Sequence, residues 1–216
     1  MLHPTRKELG FTIVEIIVVV TVLAILVTIG FVSWNGIAKR AHNTERLNEI
    51  KGWENIYTLY ASQERKYPAV PALGGYCLGT GFPDKAYIES HFNATGVAPA
   101  ARWSAAETAL PANTGFCRSI LAYGAANWSM RHHVNVALNT QLATIGKLPQ
   151  NRQSTYKDAR LIGPFVTYTS SRVFLTQSFI GDAGDCPKST TFNATDGSGM
   201  VLCDIDLPLK PFDITP

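Results

Sequence analysis

The sequence lacks several things at once in its first third. From Phe11 to Val32 only Glu15 carries a charge. No proline occurs between Phe11 and Tyr67, so nothing over that span imposes a helix stop. No cysteine precedes Cys77, and the four present never form a C-x-x-C pair, which excludes the common zinc-ribbon spacings. Strong basicity is missing too. The formal net charge is +3 over 216 residues, and the first ten hold Arg6, Lys7 and Glu8, a net +1 that leaves +2 on the rest. Such a balance by itself argues for no polyanion partner. Gly79-Thr80-Gly81 is not followed by Gly-Lys-Ser/Thr, so it is no phosphate loop. No nucleophile elbow, Ser/His/Asp set, Cys/His set or carboxylate pair stands out, and the chain reads as a non-enzyme without cofactor or metal.

What the first third does have is an apolar run, Phe11–Val32, whose twenty-two residues would rise about 33 Å as a helix, roughly one bilayer. A lone carboxylate at the bilayer centre costs about 2.5–3.5 kcal/mol, an expense no plain anchor requires. His3, Arg6 and Lys7 precede the run and place that end in the cytoplasm, with the remainder outside. Cys77, Cys117, Cys186 and Cys203 all lie on the outer side, as disulfides in an oxidising compartment would. They allow three pairings, of which sequence order favours Cys77–Cys117 and Cys186–Cys203.

The stretch Arg6, Lys7, Gly10, Phe11, Thr12, Glu15 and the following apolar segment resembles the amino-terminal signature of type IV pilins and pseudopilins. The resemblance covers about sixty residues. It implies a leader, residues 1–10, removed by a prepilin peptidase between Gly10 and Phe11, with methylation of the new Phe11 amine. Glu15 would then meet the amino-terminal amine of a neighbouring subunit during assembly. A permanent signal anchor would leave Glu15 without a role. The implied partners are other pilin subunits, the peptidase, the inner-membrane assembly machinery and the bilayer before assembly. The chain would begin as a single-pass protein of the cytoplasmic membrane and end in an extracellular filament serving adhesion, motility or DNA uptake. The alternatives are a minor pilin whose head binds a surface or DNA, and a type II secretion pseudopilin.

Apolar positions continue at helical spacing beyond Val32, through Trp34, Ile37, Ala38 and Ala41, then Leu47, Ile50, Trp53, Ile56 or Tyr57, and Tyr60. Arg40, Glu45, Arg46, Glu49, Lys51 and Glu54 read as the opposite, solvated face. The spacing predicts a helix over 11–63, its first part (11–32) transmembrane or filament core. Gly30, Gly36 and Gly52 mark either close contacts or tolerated irregularities. Residues 64–216 form the head, with a short helix near Ala100–Ala109 and a strand or helix around Val134–Ile145. Strands are predicted at Leu161–Thr169, Arg172–Ile180, Thr190–Asn193 and Met200–Ile205, with turns at Ser170-Ser171 and Asp196–Gly199. The expected fold class is α+β, and a long amino-terminal helix on a carboxy-terminal antiparallel sheet beginning near residue 160 resembles the pilin fold.

Other residues invite chemistry and read as ordinary surface. His42, His91 and the adjacent His132-His133 lack ligand spacing. Asp182, Asp185, Asp196, Asp204 and Asp206 have no EF-hand spacing and read as turn carboxylates. Three glycosylation triplets begin at Asn93, Asn127 and Asn193. Lys147, Arg152, Tyr156, Lys157 and Arg160 form the densest basic stretch, read as a solvated face.

Overall fold

The computed structural model describes residues 12–88, 103, 105–117, 119–121, 128–130, 132–149, 163–195 and 199–208; of these, the side chains of 29–35, 119–121 and 128–130 are left aside. The chain forms two compact units, residues 1–41 and 42–216. Helix α1 (Ile13–Glu64) contributes to both.

In the first unit, between Ile16 and Thr28, α1 carries no charge on any side. Its large side chains from Ile13 to Val27 are all exposed, Ile13 at 80% and Val22, the least so, at 49%. Thr21 and Thr28 donate their hydroxyls to the carbonyls of Val18 and Ile25, so neither leaves a polar group without a partner on that surface. Among the described residues no helix is long and apolar enough to cross a membrane.

In the second unit α1 lays one face against a sheet. Ile50, Trp53, Tyr57 and Ala61 are fully buried at steps of three, four and four, the spacing that keeps side chains on one side of a helix. Gly52 is a close contact: a Cβ there would lie 3.1 Å from Pro149 Cγ. The helix ends at Arg65, whose φ of 60° turns the chain left-handed while its N–H still bonds the Ala61 carbonyl. The stop therefore precedes Pro68 by three residues.

The sheet has six strands in the order β4-β1-β5-β6-β8-β7. They are β1 (Gly74–Cys77), β4 (His133–Val134), β5 (Phe165–Tyr168), β6 (Val173–Ile180), β7 (Thr191–Thr195) and β8 (Met200–Asp206). β5, β6, β8 and β7 are antiparallel neighbours, joined at β5–β6 by the Thr169–Arg172 turn. β1 pairs antiparallel with β5 and parallel with β4. The sheet is thus mixed, and it recruits two strands from well before residue 160. A separate antiparallel pair joins β2 (Ser119–Leu121) to β3 (Trp128–Met130).

Alternation splits the sheet's side chains between two cores. Val166, Tyr168, Val173, Leu175, Phe179, Val201, Cys203 and Ile205 pack with the helix. Phe165 and Leu202 point the other way and join Cys77, Cys117, Phe82 and Val134. Helix α2 (Val136–Ala143) starts at Asn135, which caps the Leu138 N–H, and buries Leu138 and Leu142 in the first core. Two amides fasten it. Gln141 bonds both backbone groups of Ala69 and accepts from the Tyr60 hydroxyl. Asn139, buried, bonds both backbone groups of Gly79. Near Ala100–Ala109 the helix is a single turn, Ala105–Thr108.

Candidate functional site

Glu15 sits in the first turn of α1, and its nearest partner is Thr12. The Glu15 Oε2 atom accepts from the Thr12 N–H at 2.9 Å and from the Thr12 hydroxyl at 2.7 Å. The Glu15 N–H in turn donates to Thr12 Oγ1 at 3.2 Å. This reciprocal arrangement is a capping box, satisfying helix N–H groups that have no partner within the helix. Thr12-x-x-Glu15 ahead of an apolar run is its sequence signature, and the sequence reading passed over it. Glu15 consequently has a local role even in a lone chain. Its carboxylate is aimed at the backbone of the residue that directly follows Phe11. Gly10 and Phe11 themselves lie outside the described residues.

Residues 5–31 match the family model of the prokaryotic N-terminal methylation motif. The chain carries that motif. It is the prepilin-type cleavage and methylation signal of type IV pilins and pseudopilins. No curated protein and no solved structure matches the chain. The match ends at residue 31, so it covers Glu15 and the exposed apolar stretch of α1 and does not extend to the head.

The cysteines lie in the head, all four in disulfides: Cys77 with Cys117, and Cys186 with Cys203. Cys77 and Cys117 are fully buried in the second core, where the first bond closes a forty-residue separation. The second joins the segment after the turn Ala183–Asp185 to β8. His132 lies beside the first bond, its ring 4.4 Å from that of Phe165, and His133 faces Tyr76. Burial lowers the pKa of His133. Among the described residues no three His, Cys, Asp or Glu side chains gather as metal ligands. Asp182 and Asp185 are engaged in a capping box of their own. Asp204 is buried and accepts from Thr176 Oγ1 at 2.6 Å and from Asn193 Nδ2 at 2.9 and 3.0 Å, with Arg172 at 3.5 Å. Burial raises its pKa, and those donors pull it back. The Asn193 amide of the third glycosylation triplet is thus committed to a carboxylate. Lys147 is exposed. His91, Asn93, Asn127, Arg152, Tyr156, Lys157, Arg160 and Asp196 lie outside the described residues.

Two charges assigned to the solvated face of α1 belong instead to its sheet side. The Arg46 and Glu49 side chains are only 6% and 7% exposed. Gln177 of β6, itself fully buried, reaches both: its Oε1 accepts from Arg46 Nη1 at 3.3 Å and its Nε2 donates to Glu49 Oε2 at 2.9 Å. Burial pushes the Glu49 carboxyl up to about 7, with Arg46 and Gln177 pulling it down and Glu45 adding to the rise. One turn or two back, Asn43 accepts from the Ile180 N–H at 2.8 Å and donates to the Ile180 carbonyl at 2.9 Å. No apolar periodicity announces these contacts, since the partners stand more than 120 residues away in sequence.

Proposed function

We propose that the chain is the precursor of a structural subunit of a type IV pilus-like filament. The observation that carries this reading is the methylation motif over residues 5–31, in register with a capped helix whose apolar side chains are exposed on every side. A surface of that kind has to be covered by lipid or by other apolar helices. The leader, 1–10, is removed by prepilin peptidase between Gly10 and Phe11, and the Phe11 amine is methylated. Before assembly 11–32 crosses the cytoplasmic membrane once, with the head, 64–216, outside. Assembly then replaces lipid by neighbouring subunits, and the Phe11 amine of one subunit neutralises Glu15 of another. The main cohesive term is packing of the apolar helices, while the head supplies the outer surface for adhesion, motility or DNA uptake.

Mass spectrometry of filaments sheared from the cells that make this chain tests the reading. The expected result is an abundant chain beginning at N-methylated Phe11; a chain beginning at Met1 overturns it. The excursion stapled by Cys77–Cys117 favours one second reading, a minor pilin whose enlarged head binds a surface or DNA. In that case the processed chain is present at trace level beside a different major subunit.

A further inference from the structure

Glu49 stands against the middle of β6 with its two oxygens served unequally. Oε2 accepts from Gln177, while Oε1 has no hydrogen-bond partner. Arg46 lies 3.7 Å from Oε2 and directs its Nη1 proton to Gln177 Oε1. The buried amide therefore bonds both charges at once. An ionised carboxylate in this setting lacks a donor on Oε1, and its cation, Arg46, stands 3.7 Å from Oε2 beyond hydrogen-bond reach, whereas buried charge is tolerated best when fully paired and hydrogen-bonded. A neutral carboxyl keeps the Gln177 bond and escapes most of the desolvation cost. The same stretch of α1 is pinned to β6 by the two Asn43–Ile180 bonds.

We propose that the Glu49 carboxyl is a proton-operated latch: neutral, it holds residues 43–50 of α1 tightly on β6; ionised, it loosens them.

Glu49 is not the sole titratable group here, since burial lowers the pKa of His42, and comparison with Glu49→Gln is what isolates the Glu49 carboxyl. On its own helix stand Arg46, Glu45 and, two turns back, His42. β6 presents Gln177, whose Oε1 also accepts from the Ser178 N–H and which does not titrate. β8 presents Cys203 opposite Gln177, held in a disulfide. The segment packed under Gly52 contributes Lys147, which is exposed. Arg152, Lys157, Asp158 and Arg160, between that segment and Gly163, lie outside the described residues. Because the carboxyl in the folded chain ionises near 7 rather than near 4.5, the stabilisation is complete below about 4.5 and is lost as pH rises through 7.

The test uses the full chain in detergent micelles. The side-chain carboxyl carbon of Glu49, assigned through its own backbone, is followed by NMR from pH 4 to 9, and exchange of the Ile180 amide, corrected for the intrinsic rate, is measured alongside. The expected carboxyl midpoint is near 7. Protection of Ile180 is expected to fall by up to tenfold per pH unit between about 4.5 and 7, and to stay level in Glu49→Gln, which keeps an acceptor for Gln177. A carboxyl midpoint near 4.5 overturns the latch, as does protection that falls equally in both proteins or in neither. The carbon titration needs no variant, so it decides the matter even where Glu49→Gln fails to fold.

Discussion

Glu15 does two separable things at the scale of one side chain. It closes a capping box with Thr12, and in the proposed filament it supplies the negative charge for a neighbour's amine. Glutamine serves a capping box nearly as well as glutamate but carries no charge. Glu15→Gln is therefore expected to leave α1 formed and the precursor processed, yet to abolish polymerisation as fully as Glu15→Ala. Thr12→Ala makes the opposite separation: it forfeits about 0.5–2 kcal/mol of capping, keeps the charge, and should lower filament yield without abolishing it. Sheared filaments quantified by immunoblot decide this, and a normal yield from Glu15→Gln removes the charge role. A second residue-scale prediction concerns Gly75. A Cβ at that position would fall 2.1 Å from His132 Cε1, so Gly75→Ala must push the His132 ring off Phe165. Overpacking of this kind costs about 1–3 kcal/mol, and the unfolding midpoint of the head, followed by circular dichroism, should drop accordingly.

The contact of α1 with β6 is where the elements meet, and Asn43 is its simplest probe. Asn43→Ala removes both hydrogen bonds to the Ile180 backbone and leaves a partly buried N–H and C=O to find water. The expected loss is about 1–3 kcal/mol, read as a lower midpoint in thermal unfolding, with exchange of the Ile180 amide accelerated before global unfolding. This contact also shows which elements a sequence discloses. β5, β6 and β8 are legible because Val, Ile, Leu, Phe and Thr run between turn residues. The helix is legible because Ile50, Trp53 and Tyr57 repeat at its period. β1 is not, since Gly-Gly-Tyr-Cys has the composition of a loop and becomes a strand only through pairing on both sides. β4, with two residues, is too short for any period. Arg46 and Glu49 read as solvated because charge at helical spacing normally is; the amide that draws them inward is distant in the chain and sits in a strand that looks apolar. At the other end of α1 the motif is local. Gly10, Phe11, Thr12 and Glu15 are contiguous enough to be read without a fold, which is why the processing signal was readable and the buried polar cluster was not.

For the molecule as a whole, the processing signal and the stapled head fall in different compact units, so damage to one should spare the other. The Cys77–Cys117 bond spans forty residues and Cys186–Cys203 spans seventeen. In the chain-entropy model these separations correspond to about 4 and about 3 kcal/mol. Such losses are comparable with the whole stability of many domains. Replacing Cys77 and Cys117 by alanine is therefore expected to lower the unfolding midpoint of the head more than replacing Cys186 and Cys203. The buried setting of the first pair, packed with Phe165 and Leu202, adds a cavity cost to the lost cross-link. Because the methylation motif lies wholly within residues 5–31, away from all four cysteines, the proposed processing predicts that both double variants still yield chains beginning at Phe11 in the membrane fraction. Filament yield should instead fall in the order of head stability. Mass spectrometry of membranes and sheared filaments from the same cells reads both quantities. Accumulation of uncut precursor in the Cys77 and Cys117 variant would mean that the head takes part in presenting Gly10 to the peptidase.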